Sequence, residues 1–190
     1  MKKGLIILGI FAVLGFFIVG KYNNIVKSDE EVKKAWSFVQ TQYQRRADVF
    51  ASQLDVVKGA ANNEKEILLG ITKARSGIVD AQENMKNATT PAQLDQYLQQ
   101  AQQAALSIKV QIEAYPTIGS TQAFLKFQDE ISGTENRIAT VRDDYNVVVT
   151  TFNKSVRTFP NNLFAGMFGF GIKEQFKSEV GADKRPDISF

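Results

Sequence analysis

Six polar side chains fall on or beside apolar helical faces, and their types are those that bind charge or move protons. Arg46, Arg75 and Arg142 are cations, Glu64 and Glu135 are carboxylates, and Asn146 carries an amide. A guanidinium does not shed its proton, so one set into an apolar arc needs an acidic partner. Glu135 is the expected partner of Arg46 or Arg142. Arg75 is expected to use Asp or Asn neighbours or to reach solvent. Three roles are open to such a set: fixing helix register at some cost in stability, binding a ligand between helices, or general acid–base chemistry by paired carboxylates. The last fits poorly. Glu64 belongs at the tip of its helix and Glu135 near the middle of another, with no second acid beside either. Register is the favoured role, so no catalytic, metal or cofactor-binding residue is expected.

Composition narrows the chemistry further. The 190 residues contain no cysteine and no histidine. That removes disulfides, thiolate chemistry, the usual zinc sites and the side chain best suited to proton transfer near neutrality. The pI near 9.0 suggests nucleic acid at first sight. However, Lys2, Lys3, Lys21 and Lys27 all precede the first acid, Asp29, leaving 19 of the 23 basic side chains against 20 acidic ones. With no basic cluster on one face, no nucleic-acid partner is expected. Gly166-Met-Phe-Gly-Phe-Gly lacks the spacing and the lysine of a phosphate loop, and no small-molecule substrate is expected.

Long helices must position the polar residues. Val32, Trp36, Val39, Tyr43, Phe50, Leu54 and Val57 recur by fours and threes, the signature of one helical stripe over Val32–Gly59. Arg46 lies between this stripe and a second one of Phe38, Val49 and Val56, which suggests a helix covered on two sides. Ser28 and Glu31 have capping-box spacing before it, and Asn63 with Glu66 before a second helix. The second seam is Ile67, Ile71, Ala74, Ile78 and Met85. Thr90-Pro91, with Gln93, opens a third helix, whose stripe is Leu94, Leu98, Ala101, Ala105, Ile108, Ile112 and Tyr115. After Tyr115–Ser120 a fourth helix is expected over about residues 121–156, with Phe124, Phe127, Ile131, Ile138, Val141, Tyr145, Val148 and Phe152 on its seam. Beside that seam runs a polar line of Gln128, Glu135, Arg142, Asn146 and Asn153. Short connections and the lack of a strand pattern predict an all-α fold, an antiparallel up-and-down four-helix bundle.

Gly4–Gly20 is uncharged and almost wholly apolar, roughly 25 Å of helix against a hydrocarbon core of about 30 Å. Lys2, Lys3 and Lys21 are placed to snorkel, and Tyr22 stands where an interfacial aromatic belongs. The alternative is a cleaved signal peptide. Val19-Gly20-Lys21-Tyr22 offers no small-residue cleavage site, so an uncleaved transmembrane anchor is favoured. Lysines flank the span almost evenly, and the short basic leader leans towards an external domain. The expected divisions are 1–27 for the anchor and its flank, 28–158 for the four-helix domain and 159–190 for a Phe/Gly-rich tail. A bundle that leaves the bilayer along its first helix returns along its fourth, and so delivers the tail to the membrane. Phe164, Phe168 and Phe170 then either contact lipid or a partner, or plug the base of the bundle.

Taken together these residues resemble the LemA family of bacterial membrane proteins. The resemblance rests on Tyr22-Asn-Asn-Ile-Val, Val32–Trp36, Gln42-Tyr-Gln-Arg-Arg-Ala-Asp, Val57-Lys-Gly, Glu64 and Ala74-Arg75. It continues through Tyr115-Pro116, Phe124-x-x-Phe-Gln, Glu135-x-Arg-Ile, Arg142-x-x-Tyr-Asn, Asn153, Phe159-Pro160, Phe168-Gly-Phe and Phe190. Ala51-Ser52 stands where the family usually has Pro-Asn, and Asn63 where it usually has histidine, so no role of that histidine carries over. The resemblance implies one N-terminal transmembrane helix, a helical domain and no known enzymatic activity. For the family's MamQ branch it implies a part in membrane invagination. The expected function is that of a non-enzymatic, membrane-anchored interaction protein. Its partners would be the bilayer of the bacterial cell membrane and either further copies or another membrane protein. The alternative is an extracytoplasmic ligand-binding bundle acting through a partner.

Overall fold

One helix of 59 residues, α1 (Lys2–Ala60), carries the chain without a break from the apolar N-terminal run to the far end of the domain, about 90 Å at 1.5 Å per residue. The computed structural model describes residues 2–61, 64–119, 121–133 and 135–177. Helix α1 crosses the expected boundary at residues 27 and 28, and Ser28 and Glu31 lie inside it rather than at a cap. Nothing between the apolar run and Trp36 breaks a helix, there being no proline and no glycine after Gly20.

Among the described residues the helical segments that follow are α2 (Lys65–Asn87), α3 (Pro91–Ile112), the single turn α4 (Pro116–Gly119), α5 (Gln122–Gly133), α6 (Glu135–Arg157) and the short α7 (Asn161–Met167). The described residues contain no strand. The fourth helix expected from sequence corresponds to α5 and α6, which are described on either side of residue 134, itself outside the described residues. The α3 start behaves as a capping box. Thr90 Oγ1 accepts the Gln93 N–H at 3.3 Å, while Gln93 Oε1 reaches back to the N–H of Thr89 at 3.0 Å, one residue earlier than expected. Asn63, expected to cap α2, lies outside the described residues, and Glu64 occupies the residue before that helix without a side-chain cap bond.

The seams read from sequence are buried. Val32, Val39, Tyr43, Phe50, Leu54 and Val57 of α1 pack with Ile67, Ile71, Ile78 and Met85 of α2 and with Leu94, Leu98, Ile108 and Ile112 of α3. Phe124, Phe127, Ile138, Val141, Tyr145 and Phe152 close the core, each large side chain contributing about 1.5–3 kcal/mol by leaving water. Two details differ. Val149 is fully buried where Val148 was expected, Val148 being only half-buried. On the supposed second stripe of α1, Phe38 and Val56 are exposed, no element among the described residues covering them.

Cross-links show how the helices pass one another. Gln40 donates to the carbonyls of Met85 and Ala88, Asp48 accepts from Gln82, and Asp55 pairs with Arg75. Trp36 meets Tyr145 and Tyr43 meets Arg142 across α1 and α6. Between α2 and α3, Glu66 accepts from the Tyr115 hydroxyl, and Gln111 lies over Gly70, where an added Cβ would collide with its amide. After α7 the chain turns at Phe168 and Gly169, and residues 170–177, without regular secondary structure, climb the groove between α1 and α6 as a strap.

Candidate functional site

Two features stand out: a polar contact between helices, and an aromatic foot from which the strap rises. The polar contact joins three helices. Arg142 of α6 donates through Nη2 to Asp95 of α3 at 2.6 Å and through Nε to the Tyr43 hydroxyl of α1 at 2.5 Å. Tyr43 in turn donates to Asp95 at 2.6 Å. Burial, then the hydrogen bond to Asp95, push the Tyr43 hydroxyl far above the ordinary phenol range, so it remains a donor. Each group is satisfied by the other two, as buried charge requires.

The six polar residues of the sequence do not form one network among the described residues. Arg46 is buried, only 5% exposed, with its guanidinium 5.6 Å from the Phe50 ring centroid. Arg75 makes an exposed ion pair with Asp55, and Glu64 is exposed at the tip of α2. Asn146 faces the strap. The Glu135 side chain, expected to pair with Arg46 or Arg142, lies outside the described residues, as does that of Lys3. Asp95 and Tyr43 were not anticipated as partners. One signal pointed to Asp95, the sole carboxylate in the glutamine-rich α3.

The foot is built by α7 against the last turns of the apolar run. Phe164 meets Phe17 edge-on at 6.3 Å, and Tyr22 packs on Phe168 at 4.8 Å and Phe170 at 6.1 Å. Lys21 lies 5.4 Å over the Phe17 ring, and Lys2 is exposed at the start of α1. Of the three phenylalanines picked from sequence, Phe164 and Phe170 are half-buried against the core, and Phe168 is exposed but in contact with Tyr22. The apolar surface left open is a different set: Phe159, Leu163, Met167 and Ile172, each more than 60% exposed. Leu163 and Met167 are one helical turn apart on α7, with Ala165 buried beneath. Lys154 and Arg157 close the last turn of α6 beside them.

From the foot the strap runs up the domain. Lys173 is held by Asn153, Phe176 by Asn146, and the Tyr145 hydroxyl donates to the Glu174 carbonyl at 3.2 Å. The Lys173 ammonium reaches Asp29 of α1 at 2.8 Å, and Lys33 approaches the same carboxylate at 3.0 Å. Burial alone would raise Asp29, but hydrogen bonds and charge from Lys173 and Lys33 outweigh it and hold the carboxyl below its ordinary value.

The class defined by this arrangement is an all-α protein whose N-terminal helix is long and apolar enough to cross a membrane, its apolar stretch exposed among the described residues except where α7 meets Phe17. Residues 35–190 match the LemA family, and the chain belongs to it. The relatives include the Protein LemA of Metamycoplasma hominis, 32% identical over 169 residues, covering 87% of this chain and 74% of the relative. Magnetosome protein MamQ 2 of Paramagnetospirillum magneticum is 24% identical over 203 residues, covering 94% and 74%. Magnetosome protein MamQ of Magnetospirillum gryphiswaldense is 22% identical over 185 residues, covering 86% and 67%. The resemblance read from scattered motifs is borne out.

Proposed function

We propose that this protein is a non-enzymatic structural element of the bacterial cell membrane, anchored by residues 4–20, that assembles with further copies and organises the bilayer beneath it. Its domain acts as an antiparallel four-helix bundle, α5 and α6 together taking the fourth position, and the bundle stands on the extracytoplasmic side. The observation that carries this reading is the foot. Phe159, Leu163, Met167 and Ile172 are exposed beside Phe17 and Tyr22, at the level where the apolar span ends. Apolar side chains flanked by Lys154 and Arg157 suit the boundary between acyl chains and anionic headgroups. A short amphipathic wedge there spreads headgroups on one leaflet, which is how a static anchor would bias curvature. The names of the magnetosome relatives agree with a role at a membrane-bound structure.

The native chain has no cysteine, so single labels are clean. A nitroxide on Leu163→Cys or Met167→Cys, in full-length protein reconstituted into anionic liposomes, is expected to collide more with oxygen than with a water-soluble nickel reagent. The opposite ratio at both positions would remove the foot from the bilayer and sink the proposal.

A further inference from the structure

The strap is held in an unusual way. Asn153 and Asn146 each use both ends of the amide on a single strap residue. Asn153 Nδ2 donates to the Lys173 carbonyl and its Oδ1 accepts the Lys173 N–H, both at 2.9 Å. Asn146 does the same for Phe176, at 3.0 and 2.9 Å. Seven residues of helix advance about 10.5 Å, and three residues of extended chain about 9–10 Å. The two amides therefore meet the strap in step, and satisfy its backbone as a neighbouring strand would.

Those bonds read main chain and ignore side-chain identity. Side chains are read at three places, one of them Gln175, whose amide donates to Thr150 Oγ1 and to the Asn146 carbonyl. Asp29 takes the Lys173 ammonium. The Phe176 ring enters a box of Trp36, Tyr43 and Tyr145, with ring centroids 5.4–6.1 Å away and the Arg142 guanidinium at 5.7 Å. The groove is thus a built receptor for an extended peptide with a cation three residues before an aromatic ring.

We propose that this receptor works between copies: the strap of one chain docks in the groove of a second, and the second returns its own. Exchange replaces each contact by an identical one, so the cost falls on the connecting segment alone. That segment is suited to it. Gly169 sits at φ +77°, the left-handed region that glycine enters freely, Gly171 has open space where a Cβ would be, and Ile172 is 66% exposed. Rerouting it shifts the half-buried Phe170 from Tyr22 and leaves the fully buried side chains of the helices in place. The shared anchor holds neighbouring copies at one height, so each strap starts level with its neighbour's groove and meets it at raised effective concentration.

The exchange rests on the proposed membrane assembly, and its test separates the two. Gln175 Nε2 lies 2.7 Å from Thr150 Oγ1, so cysteines at these positions report docking. Full-length Thr150→Cys and Gln175→Cys chains with different tags are co-expressed and mildly oxidised in the membrane. A covalent heterodimer is expected. Adding Phe176→Ala to the Gln175→Cys chain, or Asn153→Ala to the Thr150→Cys chain, is expected to lower its yield about tenfold. A chain with both cysteines should also close on itself, and failure to do so would overturn the docked strap. Co-isolation of both tags without the heterodimer overturns exchange and spares assembly. Loss of both overturns assembly as well. A heterodimer indifferent to Phe176→Ala is random collision, and equally overturns exchange.

Discussion

Removing one of the two strap-holding asparagines is the sharpest perturbation the structure offers. Asn153→Ala deletes two hydrogen bonds to Lys173 and changes no apolar packing of the strap. Each such bond is worth about 1 kcal/mol net, so the strap should lose about 2 kcal/mol of local stability. By the relation between opening free energy and exchange, that is roughly a thirtyfold faster hydrogen exchange for the Lys173 amide. Asn146→Ala should do the same for Phe176, whose ring stays caged and keeps the strap near its groove. Combining the two should bring the loss to about 4 kcal/mol, approaching a thousandfold, provided both act on one opening event. Exchange mass spectrometry of the full-length chain in liposomes, resolved to a strap peptide, reads both effects. Helices α2 and α3 should be unmoved and serve as the internal standard. A strap whose exchange is unchanged in the double variant would refute the idea that side-chain amides stand in for a neighbouring strand.

Two further outcomes test the polar contacts. Asp95→Asn should destabilise the domain by about 2–3 kcal/mol in denaturant unfolding, since it removes the charge that accepts from both Arg142 and Tyr43 in a partly buried site. Tyr43→Phe should cost nearer 1 kcal/mol, as the Arg142–Asp95 pair survives. Equal effects would contradict this division of roles. The Asp29 carboxyl is held below its ordinary value of 3.8, so the unfolded chain takes up that proton first. Its contribution is complete above about pH 5 and is lost as pH falls through the lower folded value. Protection of the strap should therefore fall between about pH 5 and 3 in the native chain and stay flatter in Asp29→Asn. A parallel fall in both would show that the Lys173–Asp29 pair does not hold the strap.

Much of this protein was legible because helices advertise themselves locally. Every fourth or third residue of Val32–Val57, Ile67–Met85 and Leu94–Ile112 is apolar, and those side chains are the core. The same rule separated the apolar N-terminal run from the domain and marked Asn146 and Asn153 as members of one polar line. Periodicity says which way a side chain points, however, and not what stands opposite. Glu135, read as a partner for Arg46 or Arg142, has its side chain outside the described residues, and Asp95, which the periodicity did not suggest, meets Arg142 from 47 residues away on another helix. Phe164, Phe168 and Phe170 were read as meeting lipid or a partner or as plugging the base of the bundle; Phe164 and Phe170 are half-buried against the core, while Leu163, Met167 and Ile172 are exposed.

The sequence by itself determined the helices, their buried faces, the apolar N-terminal run and the family, because each is written in residue types a few positions apart. Tertiary structure alone decided what the polar line does. The strap has no periodicity of its own, and its hydrogen bonds span 20 to 30 residues. They form only because seven residues of helix and three of extended chain cover nearly the same distance, a match visible only once the two lie side by side.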